Sequence, residues 1–254
     1  MNIKLLAIVT LGFIVSTTCT QASLIDRGNG LLYDNVLDVT WLQDANYAHT
    51  SGYEGADSNG RMNWWAATSW AAGLDYGGYN DWRLASNSPV NGSSFKYIKA
   101  KDGSTDVGYN ITSPHSELSY MYHVNLGLKD YYDTTGAYQA DFGIFGNGTS
   151  NGVDNASIGQ KNIGLVNNMQ SLFYWSGSEY APISPGTAWS FGTFGIFSGN
   201  QDWFGKSYYF FAWAVRPGDV AAVPIPSSFW LLGSGLVGLI GLKRRGNFKS
   251  KDFI

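Results

Sequence analysis

The chain has 254 residues, with 32 glycines, 16% aromatic and 14% charged residues. This is the composition of a globular protein rich in turns and poor in long helices, with room for one ordinary domain beside targeting segments. The formal net charge of −3 conceals a division, because residues 23–242 hold 10 basic and 18 acidic side chains. That net of about −8 repels phosphate backbones and sets nucleic acid aside as a partner.

The amino terminus reads as a secretory signal peptide. Lys4 supplies the positive charge, residues 5–15 are apolar, and small residues precede an expected cleavage after Ala22. The only cysteine, Cys19, lies in this leader. The mature chain therefore has no disulfide, Cys–metal site or thiol nucleophile, and core burial must stabilise it.

Residues 26–46 read as strand, turn, strand, with Asp34-Asn35 at the turn. A helix is expected over 63–73, with Asn63 as N-cap and Trp64, Ala67, Ala71 and Leu74 on one face. Residues 86–112 read as loop with a short helix at 95–100. A second helix is expected from Ser113-Pro114, with Leu118, Met121, Tyr122 and Leu126 as its apolar stripe and Gly127 as its end. Residues 133–162 are the most loop-like of the mature chain. Beyond Phe173 strands are expected at 174–178, 188–194 and 208–216, with 199–202 as a turn between the last two and Tyr209, Phe211, Trp213 and Val215 sharing a face.

The tail has three physical parts. Val223, Pro224 and Pro226 form a stiff extended segment that neither helix nor sheet can cross. Residues 227–242 carry no charge, and Lys243, Arg244 and Arg245 stop the run. As helix from Pro226 it measures roughly 25 Å, a span that snorkelling cations can fit to a ~30 Å hydrocarbon core. The three cations place that end in the cytoplasm and the rest outside. Within it, Gly233, Gly235 and Gly238 match the dinucleotide pattern G-x-G-x-x-G, but no strand run precedes them and no second strand follows.

This tail resembles the PEP-CTERM sorting signal in its VPxP variant, on Val223, Pro224, Pro226, the apolar run and Lys243-Arg244-Arg245. The resemblance implies a Gram-negative bacterium that makes exopolysaccharide or biofilm matrix. It also implies processing by an exosortase, a membrane-embedded cysteine transpeptidase, after signal peptidase has acted. A second resemblance covers 26–218. Asp38 to Trp41, Asp81-Trp82-Arg83-Leu84, Glu117-Leu118, Tyr174-Trp175, Ala188-Trp189 and Ala214-Val215-Arg216 are similar in order and spacing to the Lcl C-terminal domain family. That family, found at the end of a collagen-like adhesin, looks like a distant relative of the formylglycine-generating-enzyme and C-type-lectin-like folds. The implied architecture is α+β: a C-type-lectin-like mixed domain with two helices and short antiparallel strands, an N-terminal signal peptide and one C-terminal transmembrane helix. The parts are then 1–22, an ectodomain over 23–219, and a tail over 220–254. Trp41, Trp82, Arg83, Trp175, Trp189, Trp213 and Arg216 are its structural motif. Sulfatase-activating chemistry needs a cysteine pair that the mature chain lacks. The Glu-Pro-Asn signature of calcium-dependent lectins is also missing, so calcium binding is not carried over.

His49, His115 and His123 have no metal-ligand spacing, no G-x-S-x-G elbow occurs, and no Ser/His/Asp set is recognisable in the sequence. Asp75, Asp81 and Glu179 are the acids nearest aromatic runs. The reading is a non-enzymatic exported surface or matrix protein, with no catalytic residue, metal or cofactor, associated with exopolysaccharide and held by its C-terminal helix in the membrane before processing. The alternative is a lectin or adhesin that stacks sugars on exposed rings, with Trp203, Tyr180 and Tyr138 as candidates from loop or turn context. A polysaccharide-modifying enzyme is the third reading.

Overall fold

The computed structural model describes residues 24–146 and 159–220. The signal peptide, its cleavage site at Ala22, the proline motif, the apolar run and the basic stop lie outside the described residues. The architecture is mostly β, with three sheets and few short helices. Among the described residues no helix is long and apolar enough to cross a membrane.

The first sheet begins with β1 (Leu24–Gly28), β2 (Leu31–Asp34) and β3 (Val39–Leu42). Asp34 fixes the expected turn, its Oδ1 accepting the backbone N–H groups of Val36 and Leu37 at 2.9 and 3.0 Å. Next along the chain are α1 (Tyr47–Thr50) and α2 (Trp64–Ala72). The second helix starts as its sequence requires, with Asn63 Oδ1 accepting from Ala66 N at 2.9 Å, and ends at Gly73. It buries Ala67, Trp70 and Ala71 against the core, Trp70 taking the place expected of Trp64. Strand β4 (Arg83–Leu84) closes one edge of the first sheet.

Residues 86–112 depart from expectation. In place of a helix at 95–100, β5 (Lys99–Ala100) pairs in parallel with β6 (Val107–Gly108). Asp106 drives this local fold. Its carboxylate is fully buried and accepts Val90 N and Lys96 N, both at 2.7 Å, which ties the loop down as a bight over the sheet. Gly108 sits at φ +127°, and a Cβ there would run into the carbonyl of Ala100. Gly108→Ala is therefore expected to cost about 2–3 kcal/mol from backbone strain and loss of the β5–β6 pair; urea unfolding would measure it.

The second helix begins three residues later than expected. Ser113 instead hydrogen-bonds Val90 O, and α3 (Glu117–Tyr120) starts after Ser116, then widens into a π-helical stretch at Met121–Asn125. Leu118, Met121 and Tyr122 are buried as the stripe required, and Gly127 follows at φ +61°. Of the expected loop at 133–162, residues 147–158 lie outside the described residues. Tyr132 to Tyr138 is a tight turn built on Asp133, whose Oδ1 accepts from Thr135 N and Ala137 N at 2.8 and 2.9 Å. Strands β7 (Gln160–Ile163) and β8 (Val166–Gln170) form a separate two-stranded sheet.

Strands β9 (Phe173–Glu179) and β10 (Thr187–Gly192) stand where the aromatic runs placed them. The next strand does not. Residues 201–205, expected partly as turn, form β11 (Gln201–Gly205), which pairs with β10 on one side and β6 on the other. Of the expected third strand only 214–216 is one; with Pro217 it forms β12 (Ala214–Pro217), which inserts between β3 and β4. The stretch before it threads between the two large sheets. Phe210 exchanges backbone hydrogen bonds with Met62, and Phe211 N–H donates to Phe173 O. Both faces of 210–215 are consequently buried, and Tyr209, expected on the inner face, is exposed.

The large sheets run β1-β2-β3-β12-β4 and β5-β6-β11-β10-β9. The core lies between them. Trp41 and Trp213 meet at 4.7 Å between ring centroids, and Trp175 and Phe210 at 4.6 Å. Three of the buried indoles bring a partner for their N–H. Trp213 Nε1 donates to Leu42 O at 2.7 Å, Trp175 Nε1 to Met62 O at 2.9 Å and Trp82 Nε1 to Tyr79 O at 3.0 Å. Trp41 Nε1 finds none among the described residues. Two arginines tie down the edge strand β4 and its neighbour β12. Arg83 is bidentate to Glu117 at 2.7 Å, while Arg216 binds Asp81 and lies over the Tyr79 ring at 4.1 Å.

Candidate functional site

A second, smaller aromatic cluster lies outside the core, on the far side of β10 and β11. The antiparallel register sets Trp189 opposite Trp203. Tyr180, just past β9, stacks on Trp203 at 5.1 Å and 20° and meets Trp189 edge-on at 4.9 Å. From the other side the loop held by Asp106 lays Phe95 on Trp189 at 5.6 Å and sets Tyr97 against Tyr180 at 5.1 Å. Trp189 is fully buried as the pivot. Tyr97 is 36% exposed, Trp203 is half-buried and Ile98 projects into solvent. The patch thus has a rigid floor and an accessible rim.

Its polar border is a connected set. Asp202 accepts Lys99 Nζ at 2.8 Å and Asn200 Nδ2 at 3.1 Å. Lys99 also lies 5.6 Å from the centre of the Tyr109 ring, which meets Tyr132 edge-on at 5.2 Å. Lys101 sits over Tyr132 at 3.5 Å, a close cation–π contact. Tyr131, between Tyr132 and Tyr138, completes a second group of rings. Burial, helped by Asp202, raises the Tyr180 phenol above its ordinary pKa, so it stays a neutral donor.

The three rings singled out in the sequence have different fates. Trp203 lies on strand β11 rather than in a turn, with one part of its ring accessible. Tyr180 is only 5% exposed and acts as a strut behind Trp203. Tyr138 is 58% exposed but belongs to the second ring group, across Lys99 from the first. Sequence reasoning missed Phe95, Tyr97 and Ile98. Their signal is the alternation of apolar and cationic residues in 95–101, inside an otherwise Gly/Ser-rich loop.

One constellation of catalytic residue types does converge, contrary to the sequence reading. Ser119 Oγ lies 3.2 Å from His123 Nδ1, and His123 Nε2 contacts Asp130. Its surroundings make it structural. Ser119 is fully buried and its hydroxyl donates to Ile111 O at 2.7 Å, so no substrate carbonyl can reach it. Asp130 also accepts Asn110 N, and burial pushes its carboxyl above the ordinary range against the pull of His123. Of the three acids near aromatic runs, Asp75 is exposed, while Asp81 and Glu179 are paired with cations. The Arg216 hydrogen bond holds Asp81 below the usual carboxylate range, and Lys206 does the same to Glu179. Neither has the raised pKa of a glycosidic general acid. Among the described residues, no three His, Cys, Asp or Glu side chains group closely enough to hold a metal ion.

What fold and site define together is a mostly-β domain carrying an aromatic patch bordered by the charged pair Lys99 and Asp202. Comparison of the chain with protein-family models, with curated proteins and with solved structures yields no match.

Proposed function

We propose that the protein is an exported, non-enzymatic module of the cell surface or biofilm matrix that holds exopolysaccharide on the patch formed by Tyr97, Trp203 and their supporting rings. The observation that carries this reading is the rigid patch itself. Sugar rings present apolar C–H faces bordered by hydroxyls, and such a ligand matches flat aromatic faces edged by Asp202 and Lys99. The terminal residue patterns support the destination: a leader ending at Ala22, and a tail with Val223, Pro224, Pro226 and Lys243-Arg244-Arg245 for an exosortase to process. A C-type-lectin-like assignment of the ectodomain agrees with short helices set among short antiparallel strands.

Retention of the full chain on insoluble matrix polysaccharide tests the reading. Trp203→Ala combined with Tyr97→Ala is expected to weaken retention at least ~10-fold, about 1.4 kcal/mol. Tyr97 is on the rim and its loss leaves the core intact. Unchanged retention by a folded double variant would refute the site. For the processing step, mass spectrometry of the secreted protein should find residues 230–254 removed, and finding them still attached would refute it.

A further inference from the structure

A second concave site lies on another part of the molecule, where the end of β3, helix α1, the turn carrying Tyr76 and the start of β8 converge. It encloses about 230 Å³ and is lined by Gln43, Asp44, Tyr47, Thr50, Tyr76 and Asn167, with Leu42 and Gly30 behind. We propose that this cleft is a separate binding site for a single neutral, polyhydroxylated ring, one pyranose unit or a polyol of that size.

The cleft is held from several sides at once. Asp44 uses one carboxylate oxygen to accept Asn46 N at 2.8 Å, and the other to accept Thr50 Oγ1 at 2.6 Å and Asn168 Nδ2 at 2.9 Å. Backbone bonds from Asn167 N to Gln43 O, 2.8 Å, and from Ala45 N to Asn167 O, 2.9 Å, join the same segments. Opposite, the Tyr76 hydroxyl donates to Asn29 O at 2.9 Å, and its ring meets Tyr47 edge-on at 5.0 Å and Trp82 at 6.1 Å. Asn29, Gly30 and Asn168 all have positive φ, of 52°, 77° and 55°. At Gly30 a Cβ would collide with the Tyr76 hydroxyl. These left-handed turns fix the backbone on both sides of the cleft.

Against this rigid frame, the hydrogen-bonding groups left over face the cleft. Gln43 Nε2 is used on Leu165 O at 2.9 Å, which leaves its Oε1 to accept. The Tyr47 hydroxyl and the Asn167 side-chain amide have no partner among the described residues, and Thr50 Oγ1 can still accept. The set is rich in acceptors, has an aromatic wall of two touching rings and includes no cation. Asp44 adds a negative field, so carboxylates and phosphates are repelled. A donor-rich uncharged ring fits each of these conditions: C–H faces against Tyr47 and Tyr76, hydroxyls toward Gln43, Thr50 and Asn167. The cleft has room for one such ring.

Saturation-transfer NMR and calorimetry on the full chain would test this, with glucose, galactose, mannose and N-acetylglucosamine as probes and glucosamine and glucuronate for comparison. At least one neutral sugar is expected to bind in the millimolar range, with glucuronate at least ~10-fold weaker. Asn167→Ala with Tyr47→Phe removes two side-chain groups that no described residue uses, so melting should be unchanged while binding falls ~10-fold or more. Binding of none of the neutral sugars would overturn the proposal, as would binding of glucosamine alone, equal binding of glucuronate, or indifference to the double variant. Sugar binding lost on Trp203→Ala and kept in the cleft variant would overturn the cleft and leave the aromatic patch standing. Loss of polymer retention in the cleft variant alone would instead overturn the patch.

Discussion

Trp213→Ala is expected to remove a large share of the stability of the fold. The side chain is fully buried just ahead of β12, against Trp41 at 4.7 Å and Tyr174 at 6.0 Å. Truncation forfeits the transfer energy of an indole and leaves a cavity that two stiff neighbouring rings cannot fill, a combination worth about 4–5 kcal/mol. It also strips Leu42 O of its indole donor. Total stabilities of domains run to only about 5–15 kcal/mol. Trp213→Phe separates the two effects: the ring is largely replaced and the donor lost, for about 1–2 kcal/mol. Trp65, 52% exposed on α2, provides the contrast, and its change to alanine should stay within about 0.5 kcal/mol. Urea denaturation of the three variants orders them, and a Trp213→Ala loss below about 1 kcal/mol would refute this account of the core.

The elements that could be read from the sequence are those whose own residues decide them. Asp34 caps its turn, Asn63 starts α2, and the aromatic density of 173–179 and 187–192 demands strands with cover. What could not be read was decided by partners distant in the chain. Gln201-Asp202 is polar and follows Gly199-Asn200, so locally it is a turn; pairing with β10 and β6 makes it a strand. The stretch 208–213 has the composition of a strand, but Met62 and Phe173 capture its backbone singly, from opposite sides. The same holds for sites. Trp203 stood out as an aromatic near a turn, whereas its accessibility depends on how Asp106 folds the loop carrying Tyr97. The cleft at Asp44 joins residues 43–50 to residues 76 and 167, and its members are ordinary polar loop residues until the fold assembles them. The ends of the chain carry the strongest local signals, since charge, apolar length and proline act there without tertiary help.

Asp130 provides the second large expected effect and ties a buried charge to pH. The carboxyl is fully buried between His123 Nε2 and Asn110 N, with the Tyr122 ring beside His123 and Gly199, at φ +79°, closing the other side. His123 Nδ1 lies 2.8 Å from Ser119 O, which requires the proton of that nitrogen to point at the carbonyl. Asp130→Ala would leave His123 Nε2 and Asn110 N without partners in the interior, at a cost of about 3–5 kcal/mol. Asp130→Asn keeps the shape and can both donate to Nε2 and accept from Asn110, so its cost should be nearer 1 kcal/mol. Burial, opposed by His123 and Asn110, raises the folded pKa of Asp130 above its unfolded value near ~3.9. The stability it contributes is therefore complete below that unfolded value and is lost as pH rises through the folded one. Asp57 shifts the opposite way: burial would raise it, but the N–H groups of Arg61 and Asn59 and the Arg61 guanidinium hold it low. The whole-protein curve thus mixes both signs. The difference between wild type and Asp130→Asn isolates one of them, and denaturation from pH 4 upward should show the wild type losing ground to the variant. If it gains ground instead, His123 outweighs burial and the pair is an ion pair in the ordinary sense.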